Sequence, residues 1–192
     1  MDELIQKANN GDPEAQFELG QRYEFGKDLP QDFLQAKLWY EKASEQNVAK
    51  AQYNLGMLYQ HGRGVPTDHK KALIYYKRAA EQNDPWAINN IGFLYSHGEG
   101  IKGSDEEALK WYFKAAELGH FEAQFNIGAR YASGQGFEVD LVSAHFWFSR
   151  ATLGATALQT ERAQKTIAYL EKHMTPEQIR MAKQKLQDLL HE

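Results

Sequence analysis

No thiol chemistry is open to this chain, whose 192 residues include seven histidines and no cysteine. Disulfides, thiolate zinc sites and cysteine nucleophiles are therefore excluded together. His61 and His97 lie 36 residues apart, each just before a glycine-rich turn. Two such imidazoles could share a metal, but a structural zinc needs four ligands and no second pair lies near them in the sequence. They read instead as exposed histidines at helix ends, where the dipole favours a cation. Gly62-x-Gly64 and Gly98-x-Gly100 look like phosphate loops, yet a dinucleotide fingerprint follows a strand and these follow helical patterns, so they read as turns. Glu106 and Glu107 fall in the first turn of a helix, where acids are stabilised without any acid–base role. No Ser, His and Asp set can be assembled from the spacing. The expectation is a non-catalytic chain with no metal and no cofactor.

The interval between His61 and His97 runs through most of the chain. It relates Ala15, Ala51, Ala87 and Ala123; Gly20, Gly56, Gly92 and Gly128; Tyr23, Tyr59, Tyr95 and Tyr131; and Gly26, Gly62, Gly98 and Gly134. It also relates Ala36, Ala72, Ala108 and Ala144, and Ala43, Ala79, Ala115 and Ala151. A fixed period of this length is the signature of a repeat array. Ala15, Leu19 and Tyr23, four apart, form one stripe of a first helix, helix A. Asp12-Pro13 and Asp84-Pro85 mark its start with a cap acceptor and a proline at the first helical position. The glycine at its end suits a left-handed residue, and Asp28 replaces the second turn glycine in the first copy.

Asp32, Asp68, Ser104 and Asp140 then cap a second helix, helix B. Helix B alternates small and large residues: Ala36, Trp39, Tyr40, Ala43, repeated as Ala72, Tyr75, Tyr76, Ala79, as Ala108, Trp111, Tyr112, Ala115, and as Ala144, Trp147, Phe148, Ala151. Such a face stays wet in an isolated copy, so the copies must stack.

With these registers laid out, the chain resembles the Sel1-like repeats, relatives of the tetratricopeptide repeats. Residues Ala51 to Ala80 and Ala87 to Ala116 carry the pattern almost throughout. The resemblance implies an all-α fold, a right-handed α-solenoid of four 36-residue helix-turn-helix repeats with a C-terminal helical cap. The expected organisation is a single domain over 1–192: an N-terminal cap over 1–11, repeats over 12–47, 48–83, 84–119 and 120–154, and capping helices over 155–192. The fourth repeat departs from the pattern, Leu153-Gly154 coming one residue early. In the cap, Thr175-Pro176-Glu177-Gln178 reads as a capping-box start, followed by a helix with Ile179, Ala182, Leu186 and Leu190 on its apolar side.

In tetratricopeptide relatives helix A lines a ligand groove, and the resemblance carries that role to helix A positions here. Counted from each repeat glycine, they include Lys50 and Trp86 six before; Phe17, Tyr53, Asn89 and Phe125 three before; Glu18, Asn54, Asn90 and Asn126 two before; and Gln21, Met57, Phe93 and Ala129 one after. The implied partner-binding set is Lys50, Tyr53, Asn54, Met57, Trp86, Asn89, Asn90, Phe93, Phe125 and Asn126. Aromatic and Met anchors among amides are what peptide- and protein-binding surfaces use. Phe17, Tyr53 and Phe125 can equally pack between repeats.

A formal net charge of -4 offers no basic field for nucleic acid, and no apolar run spans a membrane. The first residues lack the pattern of a secretory signal, so the expected location is the cytoplasm, or the periplasm if a signal peptide has been removed. The expected function is a monomeric scaffold or adaptor for a protein or peptide partner. The alternatives are an immunity-type protein neutralising a cognate bacterial toxin, and a hydrolase acting on cell-wall or β-lactam-like substrates.

Overall fold

The computed structural model describes residues 2–136 and 138–191; Met1, at the edge of the N-terminal cap, lies outside them. Among the described residues there are eleven α-helices and no strand. They are α1 (Asp2–Asn9), α2 (Pro13–Phe25), α3 (Phe33–Glu45), α4 (Ala49–His61), α5 (His69–Glu81), α6 (Pro85–His97), α7 (Asp105–Glu117), α8 (Phe121–Ser133), α9 (Leu141–Ala151), α10 (Ala157–Glu171) and α11 (Pro176–His191). Each repeat is an A/B pair, α2/α3, α4/α5, α6/α7 and α8/α9. The chain is thus an all-α repeat fold of the solenoid class. Contacts gather into two compact units, Met1–Gly103 and Ser104–Glu192, the division falling between the helices of the third repeat.

In the first unit, helix A and helix B meet at a glycine. A Cβ on Gly20 would lie 2.6 Å from the Tyr40 ring and one on Gly56 would lie 2.4 Å from the Tyr76 ring. Only glycine lets the ring lie flat across the facing helix. Tyr40 and Tyr76 are fully buried, and each hydroxyl finds an acceptor on helix A: Tyr40 donates to Glu24 Oε2 at 2.6 Å and Tyr76 to Gln60 Oε1 at 2.6 Å. Burial and the adjacent carboxylate push the Tyr40 phenol far above its ordinary pKa, so it is a permanent donor. In the second unit, the Phe148 ring lies across Gly128 and the position matching Gln60 is Ala132. Where the ring has no hydroxyl, helix A offers no acceptor.

The A-to-B turn is fixed by two recurring devices. Helix A ends in a left-handed glycine, as at Gly62 (φ 67°), and the cap backbone N–H of Asp68 donates to the Tyr59 carbonyl at 2.9 Å, as Asp32 does to Tyr23 and Asp140 to Tyr131. The second turn glycine seats on the preceding repeat. A Cβ on Gly64 would come 2.5 Å from Phe33 Cβ, and one on Gly100 would come 2.6 Å from His69 Cβ. Asp28 occupies the equivalent place in the first repeat at φ 62°, a left-handed conformation that Asp tolerates.

Two registers escaped the sequence reading. Gly11, Asn47, Asn83 and Gly119 all adopt positive φ in the B-to-A turns, a position open to Gly and Asn. Gln16, Gln52 and Gln124 are buried and donate to carbonyls eight residues back, of Ala8, Ser44 and Ala116. These amides staple α2, α4 and α8 to the end of the helix before each, while α6 has Ile88 at that position.

The helix B caps are as expected, with Asp32, Asp68, Ser104 and Asp140 all accepting backbone N–H groups. For helix A, Asp12 and Asp84 act as expected, Val48 supplies no side-chain cap, and His120 Nδ1 accepts from Ala123 N–H at 3.3 Å. At the N-terminal end, α1 packs Leu4, Ile5 and Ala8 against Ala15, Leu19 and Trp39. At the other end, α10 and α11 both pack on α9. Thr175 and Gln178 form the reciprocal capping box, and Thr156 and Gln159 form another that the sequence reading overlooked. One assignment is corrected: Leu190 is 59% exposed, and Leu189 is the partly buried residue of the last turn. The helical rotation from Ala182 to Leu189, seven residues, stays closer to the packed stripe than the eight to Leu190.

Candidate functional site

The predicted residues fall into the two units. Lys50, Tyr53, Asn54, Met57, Trp86, Asn89, Asn90 and Phe93 all belong to α4 and α6 of the first unit, while Phe125 and Asn126 belong to α8 of the second. In the first unit the structure joins the two helices through the predicted row: Asn90 Nδ2 lies 3.3 Å from Met57 Sδ, and Asn89 Nδ2 donates to Asn90 Oδ1 at 3.3 Å. Asn89 is buried at 9% exposure and serves the interior more than the surface. Trp86 is 50% exposed at the first turn of α6, and Lys50 is exposed at the first turn of α4.

The three rings with two expectations resolve differently. Phe17 is buried against Tyr40, and Tyr53 is half-buried against Tyr76, with centroids 5.8 and 5.9 Å apart. Phe125 packs 4.8 Å from Phe148 yet keeps one side in a cleft described below.

One register was recognised only for His61 and His97, as exposed helix-end histidines, and not as part of the variable surface. Five residues after each repeat glycine stand Phe25, His61, His97 and Ser133, the last residue of each A helix. Phe25 is 66% exposed and lines a depression of about 480 Å³ with Phe17, Glu18, Arg22 and Lys27. Arg22 there is held by Glu18 at 2.7 Å and by Asp28. His97 stacks on Phe93 with centroids 4.0 Å apart, its Nδ1–H donating to the Phe93 carbonyl at 2.9 Å. The signal was available: these positions vary between copies just as the others do.

In the second unit a cleft of about 550 Å³ opens over α9 between α8 and α10, with Phe125, Ala129, Leu141, Phe148 and Leu170 among its lining. Tyr169 on α10, 65% exposed, and His173 in the turn after it also line the cleft. Arg162 sits 4.0 Å above the Phe125 ring and pairs with Glu122 at 2.8 Å.

A serine, a histidine and an acid do come together, against the sequence expectation, because Glu171 lies on a helix outside the repeat registers. Ser149 Oγ lies 3.2 Å from His145 Nδ1, and His145 Nε2 lies 3.0 Å from Glu171 Oε1. The His145 hydrogen bond, helped by Lys183, holds the Glu171 carboxyl below its ordinary pKa. The Nε2–H therefore donates to that carboxylate, and Nδ1 faces the serine hydroxyl. His145 is only 2% exposed, and Ser149 sits within α9, whose backbone donors are engaged in the helix. An acyl transfer needs donors aimed at the developing oxyanion, and the backbone N–H groups beside Ser149 are spent within α9. The cluster ties α9 to α10 and, through Lys183 at 3.4 Å from Glu171, to α11. Among the described residues no group of His, Cys, Asp and Glu could hold a metal ion, and no helix is long and apolar enough to cross a membrane.

The Sel1 repeat model matches residues 13–48, 49–84, 87–120 and 121–154. The chain belongs to the Sel1 repeat family. Repeats of this family generally mediate protein–protein contacts. Among solved structures, the Sel1 repeat protein from Oxalobacter formigenes is 35% identical with a TM-score of 0.80, over 95% of this chain and 76% of that one. The protective antigen c5321 of uropathogenic Escherichia coli, which displays an SLR fold, is 39% identical with a TM-score of 0.76, over 82% of this chain and 34% of that one. This chain thus spans about a third of c5321. The immunity protein Pa5087 of Pseudomonas aeruginosa shares the fold at 19% identity and a TM-score of 0.53, over 78% of this chain and 55% of that one. No curated protein matches the chain significantly.

Proposed function

We infer that this Sel1 repeat chain is a non-catalytic interaction module whose first unit holds a segment of a partner protein on the helix A face of α4 and α6. The observation that carries the reading is the half-exposed Trp86, set on the same helix as Asn90 and Phe93, with Asn90 reaching across to Met57. A large ring supplies buried area, the amides pair with a ligand's backbone, and Lys50 adds the row's one cation. Lys50 is the only basic residue among those six and two before the glycine, so the face suits a side-chain-anchored segment better than a terminal carboxylate.

The experiment is affinity capture from the native cell, followed by binding of the purified partner to the wild type and to Trp86→Ala/Phe93→Ala. We expect binding at least about tenfold weaker in the double variant, equivalent to about 1.4 kcal/mol, with an unchanged circular dichroism spectrum. Undiminished binding removes this face from the function.

A further inference from the structure

Helix B of the second repeat reverses the charge found at the same places in its neighbours. It carries Lys70, Lys71, Lys77 and Arg78 against the single acid Glu81. On α3 the residue matching Lys77 is Glu41, which pairs with Lys37 at 2.6 Å. On α7 the residues matching Lys70 and Lys71 are Glu106 and Glu107, which pair with Lys110 at 3.0 and 2.7 Å. Helix B therefore forms with acids at these places, and the stack does not call for the lysines.

Lys70, Ile74, Lys77 and Arg78 fall at i, i+4, i+7 and i+8, one stripe of α5, and all are exposed, Ile74 at 52%. Among the described residues no carboxylate lies at ion-pair distance from Lys70, Lys77 or Arg78. The nearby acids are otherwise engaged: Asp68 caps α5 and lies 3.9 Å from Lys71, Glu99 faces His69 at 3.6 Å, and Glu41 is held by Lys37. Glu45 and Glu81, the last residues of α3 and α5, pair with none of the three. Arg78 lies over the Tyr75 ring, 5.6 Å from its centroid, which steadies the guanidinium and leaves N–H groups for an acceptor.

We propose that this stripe of α5 is a docking site for an acidic segment of a partner protein, one with an apolar residue between its acids, separate from the α4 and α6 face. Charge complementarity calls for carboxylates at both ends of the stripe, on Lys70 and on Lys77 with Arg78. The two ends lie about 10 Å apart at 1.5 Å per residue. Ile74 stands between them and decides the class of partner. A nucleic acid carries a charge on every phosphate and sets nothing apolar against the centre of such a stripe. An anionic membrane needs a broader cationic field than one helix face supplies in a chain of net charge -4. A peptide can lay Asp or Glu on the cations and Leu, Ile or Met on Ile74.

The test uses the full chain and short fluorescein-labelled peptides with Glu on both sides of a central Leu, in three forms: as such, with Ser replacing the Leu, and with Lys replacing every Glu. Binding is read by fluorescence polarisation against the wild type and Lys70→Glu/Lys77→Glu, which installs the residues that α7 and α3 already carry at those positions. We expect the Glu/Leu form to bind the wild type at least about tenfold more tightly than the Lys form, and to lose at least about tenfold in the double variant. The Ser form should bind at least about threefold more weakly than the Glu/Leu form. Trp86→Ala/Phe93→Ala should leave this binding unchanged, so failure here is distinct from failure of the first face. Undiminished binding to the charge-reversed variant, equal binding of the Ser or Lys form, or no binding of the Glu/Leu form overturns the proposal. So does tighter binding of oligothymidylate, or of phosphatidylserine vesicles, than of the Glu/Leu peptide. Circular dichroism checks the fold of the variant, and Lys70→Gln/Lys77→Gln takes its place should it unfold.

Discussion

The second and fourth repeats are built on one register and differ where their rings meet helix A. Tyr76 lies across Gly56, latched by Gln60, and that side of α4 is filled out by Met57 and His61. Phe148 lies across Gly128 with no latch, beside Ala129, Ala132 and an open cleft. The small residues that let helices approach are common to both, so they set the stack. The large or polar residues around them vary together, ring with acceptor and acceptor with volume. The unit of variation is therefore a small group of touching side chains.

The strongest test is a methyl group at the helix crossing. Gly56→Ala puts a carbon 2.4 Å from a ring that its hydroxyl holds in place, whereas Gly128→Ala puts one 2.9 Å from a ring with no hydroxyl to hold it. We expect losses of about 4 and about 2 kcal/mol respectively, read by chemical denaturation. Equal losses would show that the latch and the cleft do not matter to the crossing.

The cap of α8 gives the next largest effect. Burial lowers the His120 pKa to about 4, and its neutral Nδ1 serves as the cap where α2 and α6 use Asp. The unfolded chain takes up a proton near pH 6.5 that the native chain refuses until about pH 4. Stability is therefore full above about pH 6.5, falls below it, and is lower by about 3 kcal/mol at about pH 4. His120→Asn should remove this component of the pH profile, and an unaltered profile would break the assignment.

Tyr76→Phe should cost about 1–2 kcal/mol by leaving Gln60 without its donor. Adding Gln60→Ala reproduces the Phe148/Ala132 pairing of the fourth repeat, so the double variant should lose less than the sum of the single ones. The smallest effect is Asp28→Gly, which removes an exposed ion pair with Arg22 and should stay within about 0.5 kcal/mol.

The repeat fold could be read from sequence because its registers are short-range: Ala15, Leu19 and Tyr23 declare a helix face, and Asp68 and Gly62 declare its neighbours' ends. Asp28, an apparent exception, follows the same left-handed geometry as the glycines it replaces. What escaped needed partners far along the chain. The glutamine staples recur at Gln16, Gln52 and Gln124, but nothing in their spacing reveals a carbonyl acceptor eight residues back. Glu171 meets His145 only because α10 packs on α9. The helix A face was traceable because repeat position implies side-chain direction, whereas the cleft is a volume beside small residues such as Ala129 and Ala132, which no single residue type signals.

The missing latch on Phe148 also has a motional consequence. Tyr40 and Tyr76 are pinned at the hydroxyl and pressed on glycine, so their rings should flip slowly, with distinct resonances for the two edges. Phe148 is likewise buried against its glycine but has no hydroxyl to tether it, so its ring should flip faster than theirs. The floor of the cleft would then move more readily than the matching ring contacts of the first unit.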